Sequence, residues 1–385
     1  MQPDLNQALT LLNQLSPAEF LAEYWQKKPL LIRQAIPKFS GLLDPNELAG
    51  LACEDEVQSR LVQIHKGQWQ VTHGPMSEKT FKRLPEKDWT LLVQGVNHYL
   101  PEATDLLAQF SFIPHARLDD LMVSYAPDGG GVGPHLDSYD VFLLQGSGKR
   151  HWKISAQTDF TLIEDAPLRI LKNFETEQEW VLEAGDMLYL PPQIAHWGVA
   201  VGDDCMTYSI GFRAPKAQEL AHEFMHFMQD QIQLDGIYQD PDLTLQAHPA
   251  EISSQMVSKV SQTLSSIKWD DALIGHFLGQ YLTDPKPHIV FEPPRKISLK
   301  VFNQQLSQTT LHLALASQML FWQASFYLNG DALSASADLI PHLKRLADQR
   351  YLDCSTLTTN ELSELASILY DAYLAGYVVM NEDWA

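Results

Sequence analysis

The chain has 385 residues, enough for two or three domains, and 45% of them are hydrophobic, with no run near the ~20 apolar residues a membrane helix needs. Its formal charge of −21 suits it poorly to holding a phosphate backbone and well to attracting a basic partner. Cys53, Cys205 and Cys354 give neither a disulfide framework nor a zinc pairing, and the start lacks the basic and apolar regions of a secretory leader, so a cytoplasmic protein is expected.

Residues 5–27 read as helical. Apolar positions recur at Leu5, Ala8, Leu12, Leu15, Phe20, Leu21 and Tyr24, and Ser16-Pro17 looks like a cap with proline at the first helical position. Strands are expected at 30–33, 59–65, 69–73 and 89–95, then a helix over 96–107 interrupted at Pro101. From 120 to 212 alternating strands and glycine turns predict a barrel. Within it, 139–145, the turn Gly146-Ser147-Gly148 and 150–155 predict a hairpin. Met187–Leu190 is a strand closed by Pro191-Pro192, and 206–212 is the last strand before a boundary at Arg213-Ala214-Pro215.

Residues 216–282 read as helical, with apolar positions at Leu220, Phe224 and Phe227, then Met256, Val260, Leu264 and Ile267. A helical pair without a catalytic motif suits a subunit interface. Asp284-Pro285-Lys286-Pro287 and Glu292-Pro293-Pro294-Arg295 form a proline-rich linker. From Lys296 to Ala385 helix and strand signals alternate, with five Lys/Arg against nine Asp/Glu. That balance argues against nucleic-acid binding by this end and for a protein contact or a structural role.

His135-Leu136-Asp137 lies in GGGVGPHLDSYDVFLLQGSGKRHWKI, and His196 follows 61 positions later in GDMLYLPPQIAHWGV. Alternate residues of a strand share a side, so His135 and Asp137 can converge on one ion, with His196 as a second imidazole. Two histidines and a carboxylate hold one face of a non-heme Fe(II), leaving room for a bidentate co-substrate and dioxygen. The spacing Gly185-x5-Pro191-x4-His196 marks a barrel hairpin and separates this set from a chance His-x-Asp in a turn or core.

On 150–155, Arg150, Trp152 and Ile154 share one face and His151 and Lys153 the other. An arginine on an apolar face needs an anion, because burying an unpaired charge is costly. Its planar fork suits a carboxylate, either the distal one of 2-oxoglutarate or a nearby Asp or Glu. Lys149 falls on the opposite face. A rival metal motif, His222-Glu223-Phe224-Met225-His226, matches H-E-x-x-H of zinc proteases, but both histidines lie opposite Leu220, Phe224 and Phe227, where solvated side chains are expected. Gly146-Ser147-Gly148-Lys149 lacks the rest of a phosphate loop and reads as a turn. Gly129-Gly130-Gly131 is expected to let the backbone pass close to metal and substrate.

The segment SYAPDGGGVGPHLDSYDVFLLQGSGKRHW, together with FLAEYWQKKPLLIR at 20–33, resembles the JmjC-type 2-oxoglutarate oxygenases, and among them the bacterial ribosomal oxygenases. The resemblance covers residues 10–215 and extends more weakly to the end. It implies an α+β protein: a double-stranded β-helix (cupin/JmjC jelly roll) oxygenase domain over 1–215, a helical dimerisation segment over 216–282 and a winged-helix-like domain over 283–385. It implies Fe(II) on His135, Asp137 and His196, and the 2-oxoglutarate carboxylate on Arg150, helped by Ser124. The reaction implied is hydroxylation of an arginine on protein sixteen of the large ribosomal subunit by a homodimer. Asp128 is the candidate partner of the substrate guanidinium and Tyr139 a candidate for the same pocket. A plain strand serine, a turn-capping aspartate and a core tyrosine are the alternatives for Ser124, Asp128 and Tyr139. One departure from the Pro-x-Gly-x-x-His form is Gln193 in place of the glycine, which bears on the turn before His196. Two other readings stay open: a histidine or another side chain as acceptor, and a metal-binding cupin module without turnover.

Overall fold

Ser16 accepts from the Glu19 N–H while Glu19 reaches back to the Ser16 N–H, and with Pro17 following, this capping box starts a short helix, Pro17–Glu23. The structure, a computed structural model, describes residues 6–380; Leu5 and the outer ends of the spans 1–215 and 283–385 lie outside the described residues. The single helix expected over 5–27 does not form. Asn13 and Gln14 take left-handed conformations and end a one-turn helix at Thr10–Leu12. Pro101 begins a helix rather than interrupting one: Pro101–Ala108 follows a separate turn at Val96–His98, because a residue without an N–H is tolerated in the first turn and not inside.

The strands of the first part are Leu30–Ile32 (β1), Ser59–His65 (β2), Gln68–His73 (β3), Trp89–Val93 (β4), Leu118–Ala126 (β5), His135–Leu136 (β6), Val141–Gln145 (β7), Lys149–Ser155 (β8), Gln178–Glu183 (β9), Met187–Leu190 (β10), Ala195–Val201 (β11) and Cys205–Phe212 (β12). They form two sheets. The larger has the order β1-β10-β7-β12-β5-β4-β2-β3 and the smaller β6-β11-β8-β9. This is the double-stranded β-helix. One face of the large sheet carries Leu121, Val123, Phe142 and Tyr208 against Phe20, Leu48, Leu106 and Phe110 from the flanking helices and turns. The other face turns Val141, Leu143, Leu188 and Leu190 towards Trp152, Ile154 and Leu182 of the small sheet. The lumen between these inner faces holds the site.

The hairpin expected across Gly146-Ser147-Gly148 is corrected by this topology. β7 pairs with β10 and β12, whereas β8 pairs with β11 and β9. The glycine turn therefore carries the chain from one sheet to the other, closing one end of the barrel. The run Gly129–Gly131 packs on protein backbone: a Cβ on Gly131 would lie 2.4 Å from the carbonyl oxygen of Gly198.

Helices Ala217–Gln231, Ser254–Leu264 and Asp271–Thr283 come after the barrel. Phe224 and Phe227 meet Phe277 in edge-on and tilted ring contacts, so the first and third of these helices pack together. The third also docks on the C-terminal unit, with His276 Nδ1 3.2 Å from the Tyr327 hydroxyl. Beyond the linker, helices Leu299–Leu306, Ile340–Gln349 and Thr359–Leu374 enclose a separate core around Phe302, Leu311, Leu343, Leu365 and Leu369. A small sheet and the strands 319–322, 325–328 and 331–333 complete a winged-helix unit. Among the described residues no helix is long and apolar enough to cross a membrane.

Candidate metal centre and co-substrate pocket

His135 on β6 and His196 on β11 are directly opposed in the strand ladder, and Asp137 comes one residue after β6 ends. One potential ligand atom from each of the three lies within 4.8 Å of the others, and among the described residues this is the group of His, Cys, Asp and Glu side chains so arranged. The imidazole centroids are 4.2 Å apart, and His196 Nε2 is 3.5 Å from Asp137 Oδ2.

Each imidazole is oriented by its own backbone. His135 Nδ1 is 3.0 Å from the Gly133 carbonyl and His196 Nδ1 is 3.0 Å from the Ile194 carbonyl. Donation from both Nδ1 atoms fixes the tautomer and leaves both Nε2 lone pairs for an ion. Burial, with help from the neighbouring His135, lowers the His196 pKa to about 4 against the pull of Asp137, so the ring is neutral and able to ligate at neutral pH. Gln193 takes the left-handed conformation that its position demands, φ 67°, and its N–H donates to the Asp137 carbonyl. The turn forms without glycine and ties the Asp137 backbone to the loop before His196.

The donor set fits a divalent metal that prefers nitrogen and oxygen, and two imidazoles with one carboxylate on one side are the facial arrangement of ferrous oxygenases.

Arg150 lies on the same lumen face of β8, 5% exposed and opposite Ala200, four residues along β11 from His196. Its Nε and Nη2 are buried and have no hydrogen-bond partner among the described residues. The protein carboxylate weighed as an alternative partner is therefore not at these atoms. Nε and Nη2 form one edge of the guanidinium, the edge that takes a carboxylate through two parallel bonds. Lys149 points away and pairs with Glu183 at 2.5 Å. Trp152 stands between, its ring 5.9 Å from that of His196 and 5.7 Å from Arg150 Cζ. Ser124 is buried on β5 opposite Thr207, whose hydroxyl donates to Gln145 Oε1.

Tyr139 is 39% exposed and lies by the metal set; burial, then the charges of Asp137 and Asp120, raise its phenol pKa. Asp128 is placed elsewhere. It is exposed, and its Oδ1 accepts from Gly202 N–H at 2.8 Å. Six residues of extended chain separate Gly202 from His196, roughly 20 Å at a strand's rise, so Asp128 caps a turn beyond the Arg150 end of the lumen. Asp120 is the carboxylate that no sequence motif marks. It shares β5 parity with Ser124, is 4% exposed, and accepts from Gln94 Nε2 and Gly95 N–H. Burial and the adjacent Asp119 raise its pKa; Lys286 and the two donors oppose them. The signal that could have found it was that parity. His222 and His226 are exposed on their helix and lie outside the metal group.

Comparison with known proteins gives a consistent set of relatives. Residues 105–220 match the JmjC domain family and residues 266–378 a ROXA-like winged helix. The ribosomal protein uL16 3-hydroxylase of Escherichia coli is 38% identical over 277 residues, which span 72% of this chain and 74% of that protein. A probable ribosomal oxygenase of Haemophilus influenzae is 42% identical over 236 residues, 60% of this chain and 56% of that one. The solved structure of the E. coli ribosomal oxygenase YcfD in complex with cobalt and 2-oxoglutarate superposes with a TM-score of 0.80 at 33% identity, covering 94% of this chain and 97% of that chain.

Proposed function

Because the chain belongs to the JmjC-type ribosomal oxygenases, which depend on 2-oxoglutarate, we propose that it hydroxylates an arginine side chain of ribosomal protein uL16. The observation that carries the reading is the pairing, in one lumen, of two backbone-pinned imidazoles and a carboxylate with an arginine edge that has no protein partner.

His135, Asp137 and His196 hold Fe(II), and Arg150 takes the distal carboxylate of 2-oxoglutarate, with Ser124 beside it. Bound together, iron and 2-oxoglutarate supply the oxidising chemistry that activates dioxygen and releases succinate and carbon dioxide. The protein's own part is orientation. Arg150 fixes one end of the co-substrate so that its other end faces the metal set. The apolar lumen of Leu143, Leu188 and Ile154 keeps water from the reacting carbon. Asp120 with Tyr139 offers a carboxylate and a phenol to a cationic side chain, which takes over the role first given to Asp128. That pairing favours arginine over histidine as acceptor, although a relative at 27% identity is named a bifunctional lysine-specific demethylase and histidyl-hydroxylase.

The negative charge of the whole chain suits a basic ribosomal protein as partner. We assign the helical segment to a homodimer contact, since Met225, Val257, Leu264 and Trp269 are each more than half exposed there. The winged-helix unit is given a structural or protein-contact role and no nucleic acid, and the protein is placed in the cytoplasm.

The test is to incubate the purified protein with Fe(II), 2-oxoglutarate, air and uL16. Succinate release should depend on uL16, and mass spectrometry should find one added oxygen on one arginine. Oxygen on a histidine would move the acceptor assignment, and no uL16-dependent succinate would remove the substrate. Light scattering that finds only monomer would remove the dimer.

A further inference from the structure

Resting on the co-substrate reading above, we propose that Trp152 is a further positioning residue, its indole N–H donating to a carboxylate oxygen of 2-oxoglutarate. Trp152 is 6% exposed, and its Nε1 is buried without a partner among the described residues. Buried N–H groups nearly always find an acceptor, so this one needs an explanation. Seven buried side-chain nitrogen or oxygen atoms are unpartnered in the described residues, and three of them, Arg150 Nε and Nη2 and Trp152 Nε1, lie on one face of β8. The deficit is concentrated in the lumen, and all three atoms are donors. A ligand that satisfies them must bring only acceptors.

The ring cannot turn away easily. Its six-membered edge rests on Gly198 of β11, where a Cβ would lie 2.6 Å from Trp152 Cζ3. The strand register puts Arg150 opposite Ala200, Trp152 opposite Gly198 and Ile154 opposite His196. Trp152 is thus midway between the guanidinium and the metal set. A molecule bridging those two points has oxygens at its ends and methylenes between them. The indole meets both demands, with an apolar ring for the methylenes and one N–H for an oxygen.

A space-filling role for the ring predicts that Trp152→Phe costs little, whereas a donor role predicts loss of co-substrate affinity. The full-length protein is loaded with Zn(II), which has no redox chemistry, and titrated with 2-oxoglutarate by calorimetry. Trp152→Phe should raise the dissociation constant about tenfold or more, as for a lost hydrogen bond to a charged acceptor, with zinc affinity unchanged. In the wild type, the indole ¹⁵N–¹H signal missing from the variant should move downfield when 2-oxoglutarate is added. An unchanged dissociation constant or an unmoved indole signal overturns the assignment. If the variant does not fold, the indole signal, assigned by selective labelling, decides alone. Failure of the underlying reading looks different: zinc-loaded wild type that does not bind 2-oxoglutarate, or Arg150→Ala that binds it as wild type does, removes the ligand from the lumen and this proposal with it.

Discussion

In the barrel, His135 and His196 lie on adjacent strands with ring centroids 4.2 Å apart, each Nδ1 against a backbone carbonyl. On the helix Ala217–Gln231, His222 and His226 stand one turn apart in solvent, and the His222 Nε2 that would face an ion is 2.7 Å from Gln218 Nε2. Both pairs match a metal motif by spacing. What separates them is preorganisation: the barrel fixes tautomer and rotamer before any ion arrives, whereas the helix fixes only the distance between two Cα atoms.

The largest effect that can test this contrast is removal of the carboxylate between the barrel histidines. Asp137→Ala should abolish uL16 hydroxylation and lower metal content to background, measured by mass spectrometry and by elemental analysis after dialysis. His135→Ala should do the same. Metal retained at full stoichiometry in either variant would show that the ion is held elsewhere.

Next in size is Arg150→Ala. It deletes a bidentate, charge-assisted contact worth about 3 kcal/mol, so the 2-oxoglutarate requirement should rise roughly a hundredfold while metal content stays full. A drop in kcat at an unchanged 2-oxoglutarate KM would place the arginine outside the co-substrate pocket and leave the lumen's unpaired donors unexplained.

Burial gives His196 a further property. The His196 pKa is lowered from 6.5 to about 4. Between those values the unfolded chain binds the proton and the folded chain does not, so the stability of the metal-free protein rises with pH across this window and is lost on acidification. The contribution is at most about 3 kcal/mol from the size of the shift. Denaturant titrations of metal-free protein at pH 4.5 and 7 should therefore differ less for His196→Gln than for wild type. Equal differences would mean that the ring is not neutral in the folded state.

Local sequence revealed what local chemistry decides. The alternation Arg150-x-Trp152-x-Ile154, the cap at Ser16 and the strand position of His135 follow from side-chain period and hydrogen bonding within a few residues, whereas the strand Ala195–Val201 that carries His196 was not marked. Strand partnership is not local, and there the reading failed. β7 and β8 look like a hairpin because three residues join them, yet each finds its partners well downstream, among β9 to β12. The place of Asp128, the candidate partner of the substrate guanidinium, depends on the same non-local pairing: its loop is tied to the far end of β11, where the carboxylate caps a turn. Asp120 went unnoticed because a carboxylate at the edge of a strand signal carries no motif, and its burial depends on Gln94 and Gly95 from another strand's end.

The smallest expected effect is also the most direct challenge to the contrast between the two histidine pairs. His222→Ala, Glu223→Gln and His226→Ala, alone or together, should leave hydroxylation and metal stoichiometry unchanged, with stability within about 0.5 kcal/mol of wild type, as for surface substitutions generally. Glu223 is exposed, as are both histidines, and the packed side of this helix is Phe224, Phe227 and the buried Met228. The polar side can be changed without opening a cavity or stranding a buried group. A protease of the H-E-x-x-H kind would lose all activity with Glu223→Gln, because that glutamate is its general base. A second bound metal that disappears with His222→Ala would show that two exposed imidazoles at helical spacing can recruit a further ligand, and the preorganisation argument would then fail for this molecule.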